Sequence, residues 1–159
     1  MNNTRHLHQV IDVNMPLLVI YDNEVLNMKE THGTQSVEVV MGRKIILSAG
    51  NGHTNVDDLK WLTETVLKHA SVWKGKDWAY IADCTQMEPV GPDEVGQLVK
   101  MTKEFVNAGC KAFGFAEGDS VMLKAQTKTN TKVSHTGVIE GHFATVKEVL
   151  EWLQKDIHV

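Results

Sequence analysis

The apolar positions of this chain recur at two different spacings, and the two alternate along its length. Residues 37–41 (VEVVM) and 44–47 (KIIL) are β-rich runs separated by Gly42 and Arg43, a spacing that predicts a tight hairpin. Residues 48–53 (SAGNGH) read as a break. Leu59, Leu62, Val66 and Ala70 then fall at helical intervals and predict a helix over 55–70 with one buried face, opened by Thr54 with Asp57 three residues on. Residues 78–82 (WAYIA) form a compact apolar strand that ends at Asp83, followed by a loop over 86–90.

Gly91, Pro92, Asp93 and Glu94 together mark a helix start, with proline pre-organised at the first helical position and two carboxylates at the positive end of the dipole. Val95, Leu98, Val99, Thr102, Phe105 and Val106 supply its buried stripe, and Gly109 is placed to end it in a left-handed conformation. Residues 111–116 (KAFGFA) read as another strand, Asp119 or Ser120 as the cap of a third helix reaching about Thr129, and residues 138–143 as a last short strand. Thr145 and Glu148 form a capping box, and Val146, Val149, Leu150 and Leu153 face inward from the final helix. Strands alternating with amphipathic helices imply a largely parallel sheet with right-handed crossovers. The opening hairpin makes it mixed. The expectation is a single α/β domain over 36–159, with a mixed, mostly parallel sheet of about five strands and flanking helices. Residues 1–35 form an extension in which 17–21 (LLVIY) offers an added strand.

The chain has 159 residues, 42% hydrophobic and 23% charged, a globular balance suited to one domain. A net charge of −4 argues against a general nucleic-acid binder. No apolar run approaches the roughly 20 residues that cross a bilayer, and residues 1–9 carry no signal-peptide core, so a cytoplasmic protein is expected. Cys84 and Cys110 make no disulfide framework.

The candidate chemistry is thin. Gly50, Gly52 and Thr54 precede a helix, where backbone amides can hold an anion. The spacing is neither a dinucleotide nor a P-loop fingerprint, and a glycine-rich turn capped by Thr54 is the plainer reading. None of the eight histidines stands in a zinc-binding setting; His6 and His8 alternate, and His135 and His142 lie seven apart. No metal and no cofactor is expected. Cys84 and Asp83 sit at a strand end, where ligands gather in parallel sheets; a buried thiol is the plainer reading of Cys84. Trp61 and Trp152 fall beside the buried stripes and suggest a homodimer contact.

Two stretches resemble the STAS domains, especially the small SpoIIAA-like proteins of bacteria. Residues 78–96 (WAYIADCTQMEPVGPDEVG) have an apolar strand ending in Asp-x-Ser/Thr, here Asp83 and Thr85, then a loop and a helix. Residues 142–153 (HFATVKEVLEWL) are similar to the family's closing strand, cap and amphipathic helix. The resemblance implies a STAS-like fold and a non-catalytic regulatory or protein-interaction module. In antagonist members a serine at the start of the second helix is phosphorylated by a partner kinase, which switches binding to an anti-sigma factor. Residues 90–94 of this chain contain no hydroxyl, so either the chain is not phospho-regulated there or Asp93 and Glu94 impose a permanent negative charge. Thr85 matches the earlier serine of the strand-end motif, and a turn hydrogen bond is its plainer reading.

Three readings compete. The first is an interaction module whose edge, Asp83, Thr85, Asp93 and Glu94, meets a regulatory protein. The second is a small-molecule or lipid-binding domain, suggested by apolar strand ends and seven methionines. The third is an enzyme pairing Asp83 with His53 or His142 as acid and base. The expectation is that the chain is not an enzyme.

Overall fold

The computed structural model describes residues 29–159 and, before them, the backbone of two short strands, β1 (Val19–Tyr21) and β2 (Glu24–Leu26). These pair antiparallel as a separate ribbon, Ile20 opposite Val25. The remainder of the expected 17–21 strand, and His6 and His8, lie outside the described residues.

Six further strands and four α-helices follow in the order β3 (Glu30–His32), β4 (Gln35–Val39), β5 (Ile45–Gly52), α1 (Val56–Ala70), β6 (Trp78–Met87), α2 (Pro92–Asn107), β7 (Cys110–Ala116), α3 (Val121–Ser134), β8 (Ile139–Phe143) and α4 (Val146–Trp152). A 3-10 turn (Ser71–Trp73) follows α1, and a π-helical turn (Leu153–Ile157) follows α4. The sheet runs β3-β4-β5-β6-β7-β8. β3, β4 and β5 are antiparallel neighbours, and β5 through β8 are parallel. The sheet is therefore mixed and mostly parallel, as the alternation of periods predicts. It has six strands where the sequence shows about five. The extra one is β3, a Glu-Thr-His edge with no apolar alternation to betray it.

Two apolar layers cover the sheet. On one face Leu59, Leu62, Val66 and Ala70 of α1 and Met101 and Phe105 of α2 pack on Val37, Ile46, Trp78, Tyr80 and Phe113. On the other, Val149 of α4 with Leu153 and Ile157 covers Ile45, Ala79, Ile81 and Ala112. Each large side chain so buried contributes about 1.5–3 kcal/mol. Gly114 of β7 is needed beneath α4, because a Cβ there would lie 2.1 Å from Val149 Cγ1. The two tryptophans expected at a dimer contact have partners within the chain. Trp61 stacks on His32 at 5.3 Å, and Trp152 packs on Phe143 at 5.5 Å.

Four local expectations are corrected. Residues 48–53 are not a break: β5 continues through Gly52, pairing with β6 across a bulge between Ala49 and Asn51. Gly50 fits there because a Cβ would meet Met87 Cγ at 2.5 Å. Thr54 does not cap α1; Asn55 does, its Oδ1 accepting from the Asp58 N–H at 2.8 Å. β6 does not end at Asp83 but runs to Met87. The hairpin is also looser than two residues, since the Val40 N–H donates to the Ile45 carbonyl at 2.9 Å. The other start signals hold, while α3 runs past the expected Thr129 to Ser134. Pro92 opens α2, and Ser120 Oγ caps α3 by accepting from the Leu123 N–H at 3.2 Å. Thr145 Oγ1 accepts from the Glu148 N–H, while the Glu148 carboxylate reaches back to the Ala144 N–H rather than to that of Thr145. Among the described residues no helix is long and apolar enough to cross a membrane.

Candidate functional site

Because β5 to β8 run parallel, their carboxyl ends meet along one edge, where the chain leaves each strand for a helix. Such edges are where ligands collect in open α/β sheets. Three features occupy it here.

The first is an exposed rim. Asp83 Oδ1 accepts from both the Thr85 N–H (3.1 Å) and the Thr85 hydroxyl (2.6 Å), so Thr85 makes the local turn bond that short hydroxyl side chains favour. A Cβ on Gly118 would lie 4.0 Å from Thr85 Cγ2, which brings the β7–α3 connection alongside. Val121 and Met122, opening α3, are 82% and 67% exposed. The loop between β6 and α2 is pinned to α3 by a paired contact. The Val90 N–H donates to Gln126 Oε1 at 3.0 Å, and Gln126 Nε2 donates to the Val90 carbonyl at 2.9 Å. Asp93 and Glu94 stand in the first turn of α2. From Trp78 to Val99 the chain has four carboxylates (Asp83, Glu88, Asp93, Glu94) and no lysine or arginine.

The second feature is a buried ion pair that the sequence does not reveal. Side chains alternate along strands, so Phe113, Phe115 and Glu117 share one face, and the pairing of Phe115 with His142 sets His142 beside them. His142 Nδ1 and Glu117 Oε1 are 2.5 Å apart, and the imidazole stacks on Phe115 at 5.1 Å. Glu117 is 3% exposed. Its Oε2, and His142 Nε2, have no hydrogen-bond partner among the described residues. Glu140 Oε2 lies 3.4 Å from Nε2 as a looser ion-pair contact. His142 thus engages Glu117, while the Asp83 carboxylate is engaged by Thr85.

The third is a cavity of about 70 Å³ below the rim, walled by Tyr80 and Phe113 of the sheet, Leu59 of α1, Leu98 and Met101 of α2 and Leu123 of α3. Cys84 borders it. Burial pushes the Cys84 thiol up to about 12, with the Glu117 and Asp83 carboxylates adding to the effect. The thiol is therefore neutral at physiological pH and unfit as a nucleophile. Burial likewise raises Cys110 and Tyr80 well above their ordinary ranges.

Of the residues singled out from sequence, Asp83 and Thr85 lie together on the rim, and Asp93 and Glu94 follow across the pinned loop. Gly50 and Gly52 belong to β5, and Thr54 is fully buried. Its hydroxyl accepts from Gln35 Nε2 at 2.9 Å, and the neighbouring Thr34 hydroxyl donates to Asp58 Oδ2 at 2.9 Å. That network ties the β3–β4 turn to α1. Among the described residues no group of three or more His, Cys, Asp or Glu side chains is arranged to hold a metal ion.

Neither a protein-family model nor a curated protein sequence matches the chain. Solved structures do. An uncharacterized protein of the DUF3478 family with a SpoIIAA-like fold, from Shewanella loihica PV-4, superposes with a TM-score of 0.59 at 13% identity, over 80% of this chain and 95% of that one. A candidate anti-sigma factor antagonist from Thermotoga maritima gives 0.53 at 14% identity, over 75% and 93%. With this strand order, these helices and these two likenesses, the chain is an α/β domain of SpoIIAA-like fold.

Proposed function

We propose that this chain is a non-catalytic binding module that docks a regulatory protein through the rim at the carboxyl ends of β6 and β7. The observation that carries this reading is that large exposed apolar side chains, Val121 and Met122, follow the connection at Gly118 that passes the turn of Asp83 and Thr85. An apolar centre with a polar border is the anatomy of a protein contact. The run of carboxylates over 83–94 selects a partner with a basic surface, through steering and complementarity more than raw affinity. The likeness to a candidate anti-sigma factor antagonist supports a protein as the occupant. Where antagonists of that kind carry a switchable serine, Asp93 and Glu94 hold fixed charge, so docking here is constitutive. The protonated Cys84 thiol, and an Asp83 carboxylate already committed to Thr85, support a role without catalysis.

The test is quantitative affinity capture from the native host with three baits: the unaltered chain, Asp93→Lys with Glu94→Lys, and Val121→Asp with Met122→Asp. A partner retained by the first and depleted at least about tenfold by both others, a loss of about 1.4 kcal/mol, is the expected result. Three identical partner sets would overturn the reading.

A further inference from the structure

We infer that the cavity beneath the rim is a binding site for a small, uncharged molecule with an apolar body and one amide, carbonyl or hydroxyl head, anchored by Asn130. This goes beyond protein docking and does not depend on it. Asn130 lines the cavity from α3, is 8% exposed, and its side-chain amide has no hydrogen-bond partner among the described residues. Its amide nitrogen and oxygen are not sealed off, so water or a ligand in the cavity can pair them. A hydroxyl pair in the same wall points the same way. Ser48 Oγ and Tyr80 Oη lie 2.5 Å apart. Two hydroxyls joined by one hydrogen bond leave one O–H free to donate, and burial keeps the phenol protonated.

The charge of the lining decides the ligand class. Asp83 and Glu88 border the cavity, and no lysine, arginine or histidine does. A carboxylate or phosphate would therefore enter with no counter-charge and two like charges nearby, which is costly in an apolar site. The size narrows the class further. A cavity of about 70 Å³ has room for roughly five to seven water-sized groups, at about 10–15 Å³ each. That corresponds to a branched molecule of about six non-hydrogen atoms. Met87 and Met101 in the wall supply flexible side chains that adapt to its outline.

The probe is isobutyramide, with isobutyrate as its charged counterpart of the same shape, titrated into the full chain and followed by NMR. Isobutyramide is expected to give saturable shifts at the Asn130 side-chain amide and the Leu98 and Leu123 methyls, with a dissociation constant on the order of 1 mM. Isobutyrate is expected to bind at least about tenfold more weakly, and Asn130→Leu to weaken isobutyramide by a similar factor. The charge selectivity is read on the unaltered chain, so it decides the matter even if the variant does not fold. Equal binding of the two probes, shifts confined to residues outside the cavity, or no saturation with isobutyramide would overturn the assignment.

Discussion

Replacing His142 by alanine isolates the buried pair at the end of β7. In the native chain Glu117 is 3% exposed, its Oε1 lies 2.5 Å from His142 Nδ1, and its Oε2 has no partner among the described residues. Removing the imidazole leaves a buried carboxylate without its ion-pair partner. Breaking one side of such a pair costs about 3–5 kcal/mol. Losing the stacking of the ring on Phe115 adds about 0.5–1.5 kcal/mol. The sum is a large part of the 5–15 kcal/mol that holds a typical domain together. Most of this cost belongs to the stranded charge, so it depends on residue 117. In a Glu117→Gln background the same His142→Ala change strands no charge, and its cost falls to about 2 kcal/mol, from packing and one lost hydrogen bond. The assay is urea unfolding of the four chains of this cycle, followed by tryptophan fluorescence, which reports on the buried Trp78. A coupling of about 2 kcal/mol or more between the two sites is expected. A single variant that costs less than about 1 kcal/mol, or equal costs in the two backgrounds, would refute the reasoning.

Two further outcomes follow from the site. Gln126→Ala removes both bonds that hold Val90 against α3; hydrogen exchange of the Val90 amide should accelerate by about tenfold or more, with a change in global stability of only about 1–2 kcal/mol. Because burial pushes the Cys84 thiol up to about 12, iodoacetamide at pH 8 should leave it unmodified in the folded chain and alkylate it only after denaturation; rapid native labelling detected by intact mass would contradict this.

Much of the fold was legible because one-face burial leaves a clear trace in the sequence. Leu59, Leu62, Val66 and Ala70 all point into the same layer, and their spacing announces α1 without any tertiary knowledge. The capping signals at Pro92, Ser120 and Thr145 are equally local and were readable for that reason. The failures lie where long-range contacts override local preference. Gly50, Asn51 and Gly52 are turn formers in isolation, yet parallel pairing with β6 holds them in a strand. Thr54 looks like a cap until Gln35 and Thr34 claim its hydroxyl from 19 and 20 residues away. Within the site, Asp83 and Thr85 were visible as a strand-end motif. Glu117 and His142 were not, because strand register alone joins two residues 25 positions apart. Asn130 was invisible for a similar reason: its meaning comes from the void it borders, and a void has no sequence signature.

The two outermost strands of the main sheet have a consequence for how copies of this molecule behave in a crowded solution. Open strand borders invite neighbouring chains to continue the ladder, which is a route to insoluble assemblies. Here one border is only three residues long, and its Glu30 is tied to Lys68 and His69 of α1. The other is five residues long and carries the exposed Glu140. Brevity and charge at these margins oppose lateral growth of the sheet, so self-association through these borders is disfavoured.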